Sequence, residues 1–167
     1  MADQPGLPWL YPDLEDADST RLGLPVFRPF VPVSMVGPAG SSPIYDGLID
    51  TGSDAILASD LVADYVGLDL EDHDGETTHA VGGAVMTARY KTVKLRLHRP
   101  DSDPDTFQEW EGPIGFISGW QNPSLLLLGS VGFLDRWTVT VSRFSQAAVI
   151  EEVDALDRRF GMILPGE

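Results

Sequence analysis

The residues with the most evident chemical potential lie in one stretch, residues 47–55, which reads GLIDTGSDA. Leucine and isoleucine precede the single carboxylate of Asp50, and a turn-forming Thr-Gly-Ser sequence follows it. This pattern predicts an ionisable group at the end of a strand, because Gly52 lets the backbone turn closely and the hydroxyls of Thr51 and Ser53 can bond to backbone or carboxylate. The same tripeptide also suits an ordinary solvated turn, so its meaning depends on the rest of the chain.

The other reactive side chains predict neither a metal site nor a second kind of nucleophile. The chain has no cysteine, which excludes disulfides, thiol nucleophiles and cysteine-based metal sites. His73, His79 and His98 lack the spacing of a zinc motif, and we expect no metal and no cofactor. No Gly-x-Ser-x-Gly sequence supports a serine nucleophile. For His79 a surface position and contact with a ligand are both open interpretations.

Composition limits the classes of partner. The 167 residues fit one domain with a sizeable core and room for an arm or tail. A formal net charge of −15 argues against nucleic acid, whose phosphates require lysine and arginine, and against anionic membrane surfaces. The N-terminus lacks the basic start and apolar stretch of a signal peptide, and no apolar run approaches the roughly 20 residues of a membrane helix. We therefore expect a cytoplasmic protein.

Composition also divides the chain into an acidic, proline-rich arm at 1–25, a folded domain at 26–146 and an extension at 147–167. The prolines of the arm argue against a long helix or a central strand there. Apolar residues around Trp9 and Tyr11 predict that part of the arm packs on the body or on a second subunit, with disorder as the alternative. In the extension we expect a short strand at 147–150 and a helix at 151–160, where acids precede arginines and a glycine.

The central segment predicts mainly strands, because apolar residues recur at every second position or in short runs bounded by glycine and proline. The strands expected there are 26–36, with prolines that suit a sheet edge, then 43–49, 55–57, 89–97, 107–117, 125–128 as a fully buried strand, and 137–142. Ser59 predicts the cap of a helix that Gly67 ends, and residues 131–135 predict a short helical turn. Gly82 and Gly83 predict the tip of a hairpin between two apolar arms.

Together these features resemble a known family, the retropepsin-like aspartic proteases. Its signature of two hydrophobic residues, Asp, Thr or Ser, Gly, and Ser or Ala matches residues 48–53, and its flap hairpin matches 79–88. Its second motif, two hydrophobic residues and a glycine, matches Leu127, Leu128 and Gly129, and a short helix at 131–136 would follow. The resemblance covers about residues 27–144. It implies an all-β fold, a closed β-barrel protomer with one or two short helices, assembled as a homodimer.

The function that the resemblance implies is that of a homodimeric aspartic endopeptidase acting on extended peptides. Its mechanism needs two neighbouring carboxylates that share one proton, because like charges roughly 3 Å apart cannot both ionise. The chain has one Asp-Thr-Gly and is too short for two lobes, so Asp50 would face Asp50 of a second copy. Water is the nucleophile, which leaves no role for a cofactor.

The resemblance assigns roles residue by residue. The catalytic residues implied are Asp50, Thr51 and Gly52. The peptide-binding residues implied are Ser53, Asp54, Val81, Gly82, Gly83 and Ala84, and the second motif has a structural role. Ser53 is expected to bond to the outer carboxylate oxygen and Asp54 to contact peptide backbone, with ordinary turn capping as the alternative for both.

One departure from the family concerns Ser130, which stands where retroviral members carry an arginine that pairs with the acid matching Asp54. Arg136 is a candidate substitute. The pattern is therefore closer to cellular and bacterial members, some of which bind peptides without efficient cleavage. Two alternatives to the protease stay open: a catalytically weak or inactive peptide-binding dimer, and a structural β domain that serves a larger complex through its acidic arm.

Overall fold

Thirteen strands and two short helices make up the part of the chain that the computed structural model describes, residues 7–12, 15–21, 24–81, 83–100, 103–120 and 122–161. The strands are β1 Trp9–Tyr11, β2 Glu15–Arg21, β3 Leu24–Phe27, β4 Phe30–Gly37, β5 Gly40–Ser41, β6 Tyr45–Ile49, β7 Ile56–Ser59, β8 Gly75–Val81, β9 Ala84–His98, β10 Phe107–Ile117, β11 Leu125–Leu128, β12 Trp137–Ser142 and β13 Ala147–Glu152. The helices are α1 Asp60–Tyr65 and α2 Ala155–Phe160.

Six strands close into a barrel in the order β4-β6-β11-β7-β10-β9, because β9 pairs again with β4. The pairs β6–β11 and β7–β10 are parallel, and the other principal pairs are antiparallel. β8 extends the sheet beyond β9 as the outer strand of a hairpin. The predicted all-β fold with a closed barrel and short helices is confirmed.

The barrel interior is filled by the alternating apolar residues that the sequence marked. Val31, Val33 and Met35 of β4 are buried, and so are Leu95 and Leu97 of β9. Burying large aliphatic side chains of this kind stabilises a fold by about 1.5–3 kcal/mol each, before the entropy of ordering is subtracted. The hydrophobic core therefore lies inside the barrel and holds the strand ends in fixed positions.

Two expectations about the first long strand are wrong. The stretch 26–36 is interrupted at Arg28 and Pro29, so that β3 and β4 are separate strands. β4 also has partners on both sides and is not a sheet edge. Pro32 is tolerated because the pairing of β4 with β9 begins only at Val33, so the missing N–H falls outside that ladder.

The leucine run and the segment after it also differ from expectation. Leu126 and Leu128 are buried, but Leu125 and Leu127 are only partly so, since β11 turns just one face to the core. Residues 132–136 form turns instead of a helix. Gly132 has φ +94°, which a right-handed helix does not allow, and Leu134 N–H donates to Gly129 O five residues back, at 3.1 Å.

Both helices form, with one shift in bounds. Ser59 caps α1 as predicted, accepting a hydrogen bond from Leu61 N at 3.2 Å. α2 begins at Ala155, later than the expected residue 151, because Glu151 and Glu152 are paired with β12 as part of β13. No helix in the described part of the chain is long and apolar enough to cross a membrane.

The N-terminal arm contributes a strand to the body. β1 pairs with β13, and β13 pairs with β12, which makes a three-stranded sheet from both ends of the chain. Trp9 and Tyr11 of β1 are 3% and 2% exposed, which confirms the predicted packing on the body. β2 and β3 pair as a separate two-stranded sheet. The division of the chain at residues 25 and 146 stays a prediction.

Candidate active site

Asp50 lies where β6 ends, and backbone bonds hold it there. Its N–H donates to Leu128 O at 3.1 Å, which joins it to the neighbouring strand β11. Its side-chain Oδ1 accepts from Gly52 N at 2.9 Å, and its own carbonyl accepts from Ser53 N at 3.1 Å. The turn therefore fixes the carboxylate in a half-buried position, as the Asp-Thr-Gly-Ser pattern predicts.

The Leu-Leu-Gly segment supports this turn from the other side. Ser130 N donates to Ser53 O, and Val131 N donates to Asp54 O, each at 2.9 Å. A Cβ on Gly129 would come within 2.4 Å of Ala55 O and 2.5 Å of Ser53 O. Only glycine fits at such a distance from two backbone carbonyls, so the second motif and the Asp50 turn are packed as one unit.

Ser53 differs from its expected bonding, and Thr51 lies apart from the other residues of the turn. The Ser53 hydroxyl donates to Ala55 O at 2.8 Å, so the expected bond from Ser53 to the Asp50 carboxylate is replaced by a turn-capping bond. Thr51 is exposed and faces a different depression, which we call the Thr51 groove, with a volume of about 330 Å³. The groove is lined by Thr51, Leu134, Trp137, Val141, Val153 and Leu156, among others.

A cavity of about 320 Å³ opens beside Asp50, and we call it the Asp50 cavity. Its lining residues are Asp50, Gly52, Ser53 and Asp54 of the turn, Leu57 and Leu127 of β7 and β11, and Thr78, His79 and Ala80 of β8. Five of the predicted site residues, four from the turn and Leu127 of the second motif, thus meet at one cavity. The hairpin strand β8 lines this cavity together with the turn.

The hairpin itself forms as predicted, but its tip does not line the cavity. Val81 pairs with Ala84 at the end of the ladder, and Gly83 and Ala84 are exposed. Gly82 lies outside the described residues. The cavity is lined instead by residues 78–80, which the sequence analysis did not assign to the site, apart from the open question about His79. No local pattern marks these three residues, because consecutive strand positions point to opposite faces and their approach to the cavity depends on the path of the hairpin.

His79 of β8 and Tyr90 of β9 form a polar pair within the hairpin. His79 Nε2 lies 2.7 Å from Tyr90 Oη, with the rings 6.0 Å apart. Burial raises the pKa of Tyr90, and the negative charge of Asp54 raises it further. Tyr90 therefore stays protonated near neutral pH, and its hydroxyl ties β8 to β9 beside the cavity.

The expected substitute partner for Asp54 does not take that role. Arg136 lies over the ring of Trp137, 5.5 Å from its centroid. Within the described residues no ion pair joins Arg136 or any other basic side chain to Asp54, which is exposed. In the same part of the chain no cluster of three or more His, Asp and Glu side chains is arranged to hold a metal.

The comparisons with known proteins bear on the fold. No family model matches the sequence, and no curated protein matches it. Among solved structures, a retropepsin-like aspartic protease from Rickettsia conorii superposes with a TM-score of 0.52 at 14% identity, covering 87% of this chain and 99% of that one. Identity this low shows the fold alone. The barrel, the Asp50 turn at its strand ends and this likeness together establish that the chain has the retropepsin-like fold.

Proposed function

We propose that this protein is a homodimeric aspartic endopeptidase, in which Asp50 of each subunit contributes one carboxylate to a shared site. The observation that carries the proposal is the single Asp50 turn, held by Gly129 and facing the hairpin strand β8 across a cavity. This is the arrangement that hydrolysis of an extended peptide requires: an acid or base on a rigid floor, and a strand opposite it for the peptide backbone.

The second carboxylate has to come from a second copy. A half-buried Asp50 by itself can activate water as a base, but it cannot at the same time protonate the carbonyl oxygen that is being attacked. Support for the assembly comes from the Thr51 groove, where the apolar Val141, Val153 and Leu156 are 43%, 48% and 40% exposed. A second copy covering this groove would remove that apolar surface from water and bring the two Asp50 turns together.

In the proposed mechanism each group has one task. The charged carboxylate of the pair takes a proton from the water that attacks the scissile carbonyl, and the protonated carboxylate donates to the carbonyl oxygen. The proton taken from water then passes to the leaving amine, and the other carboxylate takes a proton back from a hydroxyl of the tetrahedral intermediate, so the pair again holds one proton. Gly52 and residues 78–80 are positioned to bind peptide backbone, while the Asp50 cavity receives a side chain.

The decisive experiment replaces Asp50 with asparagine. Asp50→Asn keeps the shape and the bond from Gly52 N but removes the acid, so cleavage of a peptide library followed by mass spectrometry should fall by about a thousandfold or more. The matched control is Asp64→Asn, an equal charge change on the exposed surface of α1. Circular dichroism and sedimentation should be unchanged in both variants. Full activity of Asp50→Asn would rule the protease out.

The alternative is a peptide-binding dimer that uses the same cavity with little or no cleavage. Two observations favour it: Ser53 does not bond to the Asp50 carboxylate, and Asp54 has no ion pair within the described part of the chain. In that case wild type and Asp50→Asn would bind library peptides equally well, and neither would release products. Product formation that depends on Asp50 excludes this alternative.

A further inference from the structure

Asp54 is an acid in the Asp50 cavity that the proposed mechanism does not use. Its backbone carbonyl is held by Val131 N at 2.9 Å, which fixes the residue, while its side chain is exposed. No ion pair neutralises it within the described residues. A fixed carboxylate on the wall of a cavity attracts a cation more strongly than one in open water, because the surrounding protein lowers the effective dielectric.

One part of the cavity wall is apolar. Leu57 is 2% exposed and packs in a small cluster with Ala88 and Ile117, against which Leu127 is partly buried. Leu57, Leu127 and Ala80 all line the cavity. The cavity thus offers aliphatic surface and a free carboxylate within the same space of about 320 Å³.

The balance of charge in the cavity is negative. Asp50 and Asp54 both line it, and His79 is the one basic side chain among its lining residues that the structure describes. Nε2 of His79 is already occupied by the Tyr90 hydroxyl at 2.7 Å. No lysine or arginine is among the described residues that line the cavity, so a cationic group of a ligand can neutralise the two acids.

We propose that the Asp50 cavity selects peptides carrying a basic side chain, lysine or arginine, with Asp54 as the residue that binds its charged group. The methylene stem packs on Leu57 and Leu127, and the ammonium or guanidinium group reaches the Asp54 carboxylate. Long basic side chains combine an apolar stem and a charged tip in this way. The inference rests on the proposed function in one respect, namely that a peptide is what enters this cavity.

The size of the effect follows from exposure. Because Asp54 is exposed, its contact with a cation resembles a surface ion pair more than a buried one. Such pairs change an equilibrium constant by about fivefold at low salt, and screening reduces the effect as salt rises. A lysine peptide should therefore bind about fivefold more tightly than its norleucine analogue, which keeps the stem and lacks the charge.

The test measures binding without cleavage. Asp50→Asn serves as the host, and fluorescence anisotropy compares three peptides that differ at one position, with lysine, norleucine or glutamate. The order expected is lysine, then norleucine, then glutamate. In the double variant Asp50→Asn/Asp54→Asn the preference for lysine over norleucine should disappear, whereas Asp50→Asn/Asp64→Asn should retain it. Asp64→Asn removes one negative charge, as Asp54→Asn does, so it controls for a change in the overall charge of −15.

The binding results either support or contradict the role of Asp54. A lysine preference that depends on Asp54 and weakens in salt supports it. Equal binding of lysine and norleucine peptides, a preference that survives Asp54→Asn, or no binding of any of the three peptides would overturn it. Cleavage by the wild type is scored separately: peptides that bind with a lysine preference but are never cut would sink the protease and leave the inference standing.

Discussion

Gly129 shows how closely the Asp50 turn depends on a residue without a side chain. The carbonyl oxygens of Ala55 and Ser53 lie within 2.5 Å of the position that a Cβ at Gly129 would take. Both belong to the backbone, which cannot rotate away as a side chain can. The hydrogen bond from Asp50 N to Leu128 O lies one residue away. Any displacement at Gly129 is therefore transmitted directly to the carboxylate.

A Gly129→Ala substitution should destabilise the protein by about 3 kcal/mol, as overpacking against backbone does, and should abolish any Asp50-dependent cleavage. Urea unfolding measures the first effect and the peptide assay the second. Gly75→Ala is the control, since a Cβ at Gly75 meets nothing within 4 Å. It should change the free energy of unfolding by less than about 0.5 kcal/mol. Equal stability of the two variants would contradict the packing argument.

His98 is a second residue whose chemistry is set by its surroundings. It is 5% exposed, its Nε2 lies 2.8 Å from Ser34 Oγ, and its Nδ1 lies 3.1 Å from Pro104 O. Burial is the largest effect and lowers its pKa below the ordinary value of 6.5; the hydrogen bond with the Pro104 carbonyl partly offsets this, and the charge of Arg96 lowers the pKa again by a smaller amount. The folded protein therefore favours the neutral imidazole.

The sign of the pH effect follows from proton linkage. Below pH 6.5 the unfolded chain binds a proton at His98 that the folded protein resists, so the free energy of unfolding falls as pH falls through this range. The contribution of His98 to the slope is at most about 1.4 kcal/mol per pH unit. Urea titrations at several pH values should show a shallower slope for His98→Gln than for the wild type. Parallel slopes for the two proteins would refute this account.

At the scale of single elements, the arm strand β1 illustrates how an alternating pattern works. Trp9 and Tyr11 face the core, and Tyr11 Oη donates to His98 O at 2.9 Å, while Leu10 between them is 56% exposed. A strand of three residues has few backbone bonds of its own. Its attachment to β13 therefore depends on the two buried aromatic side chains.

Replacing Trp9 with alanine should lower the free energy of unfolding by about 3–5 kcal/mol, because it leaves a large void beside β13. Leu10→Ala on the same strand should cost less than about 0.5 kcal/mol, since that side chain points to solvent. Both values come from denaturant unfolding curves of the full chain. Equal stability of the two variants would mean that β1 is loosely attached, which would contradict the burial of Trp9.

The long strand β9 belongs both to the hairpin with β8 and to the barrel, where it pairs with β10 and β4. β9 runs for 15 residues, from the exposed tip at Ala84 into the barrel, where Val93, Leu95 and Leu97 are buried. Its inner half is fixed by β10 and β4, while its outer half pairs only with β8 beyond the end of the β10 pairing at Ala88. The part of the hairpin that lines the cavity is thus held by pairing between its own two strands, without a third strand beside it.

At the scale of the whole molecule, the proposed function depends on assembly. Each chain carries a formal charge of −15, so two copies repel each other, and screening by salt should strengthen their association. The apolar surface around the Thr51 groove opposes that repulsion. The subunit contact is thus expected to be favoured by salt, in contrast to the proposed binding of a basic side chain, which salt weakens.

Mixing subunits tests the shared site. When wild type and Asp50→Asn are combined in equal amounts and allowed to exchange, cleavage should fall to about half that of the same amount of wild type alone, because mixed dimers lack one carboxylate. Asp64→Asn mixed in the same way should about double cleavage, because every dimer in that mixture keeps both Asp50 carboxylates. Activity that is insensitive to the Asp50→Asn partner would show that each chain works alone and would end the homodimer proposal.

Much of the architecture followed from local pattern. The alternation in 89–97, the run 107–117 and the glycine pair at 82–83 predicted strands and a hairpin close to those observed, because a strand that buries one face must alternate along its length. The cap at Ser59 was equally local. Each of these features depends on residues within a few positions of one another, which is the range over which sequence alone is informative.

What tertiary structure decided were the contacts between distant parts of the chain. Leu127 of β11 and residues 78–80 of β8 line the cavity, whereas the hairpin tip does not, and Ser53 caps its own turn. These contacts depend on how strands from different segments come together. The sequence by itself determined an Asp50 turn, a glycine-tipped hairpin and a strand at the leucine run. Only the closed barrel decided which side chains share the cavity with Asp50, because strand pairing across long separations fixes distances that local residue patterns do not encode.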